Sequence, residues 1–503
     1  MAAGVGGPRR GGILREGYDY SFSRCDPATG AHVDPAWCAI YETATVADPR
    51  GLLGPSLATG WRQSPDGTEW RFRIRAGARY HSGLQCDAAA VAAAFAHHAD
   101  PVASPLNSGF WHVVDTVRAD GDEVVVTLHH PSAGFPTLLR SWHAAIHCQA
   151  SREAGGNDYG WTTADGTGLF RFKHLDPDVT QEVERWDGYP GTGVTWLENR
   201  GPAYLDGIRW LPLPDEEQRA QALEDGLVDC VQNPSLLHVD RLTANPDLNV
   251  ISFQQSSLVY LALDHETTRL GFDDVRVRRA VSCAIDREAI VERELAGHGW
   301  PAHGPVPSAS PWYEPGVEQL VAYSPDESIA LLDAAGLAPG PDGVRLRFSV
   351  LVLEDATVRR AATSVKAMLR RVGIEIELLP VTGFAAFYGA LGDHPEAFLS
   401  KWFWPDPVDA IVLFISSWSH AGPNWQRASI PAIDTACRAW MEAPDVAAQA
   451  LAASQIQLLS AEQLPLIPLC SPATVWAHHR RVHGWMPTPT NLYPLYNDVW
   501  IDG

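Results

Sequence analysis

The chain switches repeatedly between two periodicities. Residues 69–75 (EWRFRIR) and 123–129 (EVVVTLH) alternate apolar and polar positions, the pattern of half-buried strands. Between them, residues 87–98 (DAAAVAAAFAHH) predict an Ala-rich helix with Asp87 as its N-cap. Residues 168–173 and 180–185 predict paired strands, and 206–211 another strand. Residues 215–229 predict a helix closed by Gly226. The stretch 248–264 (LNVISFQQSSLVYLALD) is one long strand signal interrupted by Ser256 and Ser257. After Asp264 the texture changes. Residues 274–297 predict an amphipathic helix pair, and 325–336 a helix capped by Ser324 with Pro325 at its first position. Strands at 344–353 and 374–381 flank a helix over 356–372, an order that predicts a parallel α/β unit. Residues 431–464 read as almost entirely helical, 465–476 as a buried strand, and the tail after Gly484 as irregular. No repeat of solenoid or propeller length is visible.

With 503 residues, the chain has room for two large lobes or a few smaller domains. Apolar residues make up 46% and charged residues 19%, which excludes global disorder. The net charge of -22 argues against nucleic acid, whose phosphates require clustered bases, and disfavours anionic membranes. No apolar run is long enough to span a bilayer. Residues 1–12 (MAAGVGGPRRGG) carry two Arg but no apolar run behind them, so they do not read as a signal peptide. Two locations stay open: extracytoplasmic with a leader absent from this sequence, or cytoplasmic if Met1 is the true start. None of the eight Cys forms a C-x-x-C pair, which argues against a zinc ribbon or a thioredoxin-type motif. Cys25 and Cys38 are the best-placed pair for a disulfide, and the others read as small buried hydrophobes. The 19 Trp are an excess that calls for a structural or binding reason.

Several ordered motifs carry a resemblance over nearly the whole chain. They are GGILREG at 11–17, YET at 41–43, LATGWRQSPDGTEWRFRIRAGARYHSG at 57–83, GTGLFRF at 166–172, YLDGIRWLPLPDEEQRAQALEDGLVD at 204–229 and FDDVRVRRAVSCAIDREAIV at 272–291. Together they resemble the family 5 solute-binding proteins of ABC transporters, the peptide, nickel and oligosaccharide binders. The resemblance implies an α/β, two-lobe hinged periplasmic-binding-protein fold of the large type, with an extra inserted subdomain. It implies a first lobe built from 1–40, an inserted subdomain at 41–164 and a continuation at 165–256. A second lobe follows at 257–467, and 468–503 returns to the first lobe. Ligand would be enclosed as the lobes close. The implied partners are a small-molecule ligand and an ABC transporter permease, with no cofactor, no metal and a monomeric state.

The segment KWFWPDPVD at 401–409 is the most informative candidate for binding. Trp402 and Trp404 lie two apart, so on a strand they face the same way. Pro405 ends the strand and sets Asp406 and Asp409 near its mouth. Flat rings beside carboxylates can stack on a ring or a cation and accept hydrogen bonds. The same Trp residues can equally fill the core of the second lobe. In the family the corresponding segment borders the cleft, and its first Asp pairs with a peptide amine. Here that region is shorter and only the Asp-Pro Asp is matched, as Asp406, which departs from ordinary capture of a peptide N-terminus.

Trp418, Asn424, Trp425 and Arg427 form a second group, with Arg427 able to grip a carboxylate in bidentate fashion or to sit solvated. Ser257 and Tyr260 interrupt an apolar strand and need polar partners there. Tyr20, Trp37, Tyr41 and Trp111 are candidates from the first lobe, against the alternative of core packing. Asp264 stands where the family usually has Asn. Adjacent strand residues face opposite ways, which disfavours a catalytic Asp264–His265 pair. His479 and His483 would suit a metal only on a helix. The leading expectation is an extracytoplasmic receptor for a peptide-like, oligosaccharide or aromatic ligand. The rival is a cytosolic homologue acting as a biosynthetic enzyme or a sequestering protein.

Overall fold

Every strong periodic segment forms its expected element. The computed structural model describes residues 7–29, 33–105, 111–403, 407–419, 424–489 and 491–502. The chain divides into two compact units, one of residues 1–251 with 475–503 and one of residues 252–474.

In the first unit the strand Ile13–Tyr18 lies between two parallel neighbours, Gly207–Pro212 and Cys230–Gln232. The strand Thr180–Arg185 adds antiparallel to Gly207–Pro212, and Phe170–Asp176 pairs with it as a hairpin. A separate four-stranded antiparallel sheet runs in the order Ala58–Gln63, Glu69–Ile74, Glu123–Leu128, Val114–Asp120. Its apolar face packs on the helix Ala88–Ala99, whose Asp87 cap accepts a bond from Ala90 N at 3.0 Å. The GTG motif is a close-packing device. A Cβ on Gly166 would lie 2.1 Å from Ile40 O, and one on Gly168 would lie 2.3 Å from Ala39 O. Only glycine fits there.

In the second unit, Ile374–Val381, Leu346–Leu353 and Ala397–Phe403 run parallel, with the helix Ala356–Arg371 as a crossover. Ser257–Leu263 adds antiparallel to Ala397–Phe403, and residues 467–470 pair with 259–261. The block at 272–291 is scaffold. Asp274 and Asp286 cap the helices Val275–Cys283 and Arg287–Glu294. Arg278 donates to the carbonyls of Phe272, Asp273 and Gln463. Arg287, 1% exposed, donates to Ala302 O, Pro468 O and the Ser282 hydroxyl, and burial lowers its pKa to about 10.

Three boundaries differ from expectation. The signal at 248–264 is two strands, Leu248–Gln254 and Ser257–Leu263, because Gln255 and Ser256 leave the ladder. The helical run at 431–464 is two helices, Pro431–Met441 and Val446–Gln463, the second restarted by Asp445 accepting from Ala448 N. The helix expected to reach residue 229 ends at Glu224, after which the chain enters the strand Cys230–Gln232. All eight cysteines are buried free thiols, so Cys25 and Cys38 are not joined. Cys25 Sγ instead accepts from Gln181 Nε2 at 3.1 Å.

Candidate functional site

In the second unit the strand Ala397–Phe403 carries Trp402 opposite Leu258 and Ser400 opposite Tyr260. This register sets Tyr260 and Trp402 diagonally on one face. Their ring centroids are 5.0 Å apart, and Trp402 meets Phe414 of the helix Pro407–Ile415 at 4.7 Å. Trp402 is 4% and Tyr260 2% exposed, so both fill the core between sheet and helix. The indole N–H of Trp402 has no acceptor among the described residues. Trp404 and Asp406 lie outside the described residues, as does the side chain of Asp409. On the opposite face of the strand, Lys401 Nζ meets Asp355 Oδ2 at 2.5 Å. Asp355 also caps the helix Ala356–Arg371. Burial pushes the Asp355 carboxyl up, but Lys401 and the capped amides hold it below its ordinary value. Sequence spacing gave no sign of this pair.

Residues 424–428 are braced against Phe414 and Ser416. Asn424, fully buried, donates to Ser416 O at 2.8 Å and Ala428 O at 2.9 Å and accepts from Ala428 N at 3.0 Å. Gln426 Nε2 donates to Phe414 O, and Gln426 O accepts from His265 N. Asn424 is thus a frame residue and not a ligand-facing one. Replacing it with Ala removes three buried hydrogen bonds to Ser416 and Ala428. We expect a loss of about 2 kcal/mol in urea unfolding. An unchanged midpoint would overturn its bracing role.

Arg427 grips a carboxylate, as its chemistry suggested, but the carboxylate is internal. Its Nε and Nη2 bond both oxygens of Asp264, at 2.8 and 2.5 Å, and Nη1 bonds Glu266. Asp264 also accepts from the Thr267 hydroxyl at 2.5 Å. His265 is half-buried, and desolvation followed by the Arg278 charge lowers its pKa to about 3, so it stays neutral. Trp418 is 41% exposed and carries Arg438 over its ring at 5.1 Å; Trp425 is half-buried. Ser257 Oγ donates to Pro472 O at 3.2 Å.

In the first unit, Trp37 and Trp111 are core residues. Trp111 stacks on His98, and Trp37 meets His143 edge-on. Tyr41 is 1% exposed and donates its hydroxyl to Cys25 O at 2.7 Å. Tyr20 is half-buried, edge-on to Tyr18 at 6.0 Å. Of the expected ligand-facing residues that are described, Tyr20, Ser257, Trp418 and Trp425 keep accessible surface. His479 Nε2 bonds Leu223 O, and His483 bonds Asp502 and stacks on Trp500. No group of three or more His, Cys, Asp or Glu side chains is placed to hold a metal ion among the described residues, and no described helix is long and apolar enough to cross a membrane.

This architecture defines an α/β solute-receptor fold. It matches the periplasmic binding protein DppA from Helicobacter pylori, in complex with the peptide STSA, at a TM-score of 0.82 and 21% identity, over 98% of this chain and 99% of that one. The model of the bacterial extracellular solute-binding proteins, family 5, matches residues 53–425, and the chain belongs to that family. The glutathione-binding protein GsiB of Salmonella paratyphi A is 26% identical over 337 residues, which cover 64% of this chain and 60% of GsiB's length. The heme-binding protein A of Haemophilus influenzae is 23% identical, over 90% of this chain and 84% of that protein. Family membership favours the receptor over a repurposed enzyme.

Proposed function

We propose that the protein is an extracytoplasmic, monomeric receptor that captures a small organic ligand and delivers it to an ABC transporter permease. The family match over residues 53–425 carries this reading. The ligand is peptide-like, an oligosaccharide or an aromatic metabolite; relatives named for glutathione and heme fit this range. The first lobe is interrupted by the subdomain at 41–164. Its contacts are Trp404, Asp406 and Asp409 with Trp418 and Trp425, and Tyr20 is a separate candidate in the first unit. Aromatic rings together with carboxylates suit a ring or a cationic group.

Native mass spectrometry of the purified protein tests for a co-purified ligand. Titration with glutathione, short peptides and heme then gives the class. Trp404→Ala and Asp406→Ala are each expected to weaken binding at least about tenfold, the scale of one lost stacking or charge-assisted contact. Unchanged affinity in both variants would sink the contact assignment.

A further inference from the structure

Four histidines gather in the first unit. His97 and His98 end the helix Ala88–Ala99, His143 lies in the turn Trp142–Ala144, and His147 precedes the helix Gln149–Gly155. The His147 ring lies 5.4 Å from His97 and 5.1 Å from His98, edge-on to both. His98 and His147 are fully buried. His98 Nε2 bonds Ala145 O at 3.0 Å, tying the helix to the following segment. Gln149 bridges the other two, 3.0 Å from His147 Nε2 and 3.5 Å from His97 Nδ1.

The remaining ring nitrogens matter most. His147 Nδ1 and His97 Nε2 are buried and have no hydrogen-bond partner among the described residues. A neutral imidazole tolerates one bare nitrogen, but an imidazolium must donate from both. A second proton on His147 would therefore bury a cation and an unmet N–H together. The charges facing the cluster do not compensate. Asp26 is already bonded by Arg152 at 3.1 Å and by the Thr29 hydroxyl at 2.8 Å. Glu153 accepts from Gln149. Asp100 accepts from the amides of Val102 and Ala103 beyond the helix end. Arg152 and the neighbouring histidines, His143 included, add positive repulsion.

We propose that His97, His98 and His147 form an acid-sensitive latch, which holds the helix Ala88–Ala99 against residues 142–155 only while the rings are neutral. Burial, foremost, lowers the His147 pKa to about 4 and holds His98 well below and His97 below the ordinary histidine value. The unfolded or opened segment regains the ordinary value of 6.5. Stability is thus complete above that value and is lost as pH falls towards 4.

Hydrogen exchange of the full-length protein between pH 7 and pH 5 tests this. After correction for chemical exchange, the opening constant of residues 88–99 and 142–155 should rise about tenfold per pH unit, per ring protonated on opening, below about 6.5. His147→Gln keeps a polar side chain beside Gln149, and it should reduce that slope by about one proton. An unchanged slope in His147→Gln, or equal loosening throughout the unit, would overturn the proposal. Should that variant fail to fold, NMR titration of the wild-type histidines decides: three rings titrating near their ordinary value in an intact fold would also overturn it.

Discussion

Replacing Arg427 with Ala is expected to destabilise the second unit by roughly 3–5 kcal/mol. The change strands Asp264, which is 2% exposed, with its two guanidinium bonds gone. Breaking a buried pair by removing one partner costs far more than the pair contributes, because the surviving charge stays desolvated. Arg427 also sits at φ 54°, a left-handed backbone that L side chains resist. Its ion pair holds that conformation in place. Two further variants separate the effects. Arg427→Gly relieves the backbone and should be about 1 kcal/mol less damaging than Arg427→Ala. Asp264→Asn on the Arg427→Ala background should recover part of the loss, since no buried charge remains. Urea unfolding, followed by tryptophan fluorescence, measures all three. If Arg427→Ala matched wild type, the pair would be a surface ornament. The loop it anchors carries Trp418 and Trp425, so loosened ligand binding should accompany the loss of stability.

The second large effect concerns Glu16, whose carboxyl is 1% exposed in the middle of the first unit's sheet. Burial raises its pKa to about 7, while bonds from Tyr496 OH at 3.0 Å and Trp210 Nε1 at 3.1 Å partly oppose the shift. Below 4.5, its ordinary value, folded and unfolded chains both hold the proton. Between 4.5 and about 7 only the unfolded chain releases it, so stability falls as pH rises through that window. The loss at and above neutrality is on the order of 3 kcal/mol. Glu16→Gln keeps an acceptor for both donors and removes the ionisation. It should therefore exceed wild type in stability at pH 8 and approach it at pH 4.5. The histidine latch acts in the opposite direction, but it is common to both proteins, so their difference isolates Glu16. Parallel curves for the two proteins across this range would refute the assignment.

Local pattern made the elements legible because each follows from a short-range rule. Ser324, Asp87 and Asp445 stop and start helices by bonding amides within one turn. The alternation in EWRFRIR needs only a sheet with one buried face. The family blocks were legible for a related reason: Gly166 and Gly168 leave no room for a Cβ, and Arg278 and Arg287 each bond several backbone carbonyls. The candidate site was legible only as composition. An aromatic near a cleft motif and an aromatic in a core look alike until register and layers are fixed. Trp402 is core because its face of the strand meets Phe414, and Trp37 and Trp111 are core because the histidine-bearing segments cover them. Asn424 stands among the ligand-facing candidates of the sequence, but its partners are in its own loop.

The sequence by itself determined the alternation of strands and helices, the caps and the family. Tertiary structure alone decided which charges are spent internally. Arg427 and Asp264 lie 163 residues apart, Lys401 and Asp355 lie 46 apart, and His98 and His147 come from different segments. Such pairings follow from how the sheets and helices bring distant positions together. Local periodicity records which face is buried, and not what that face will meet.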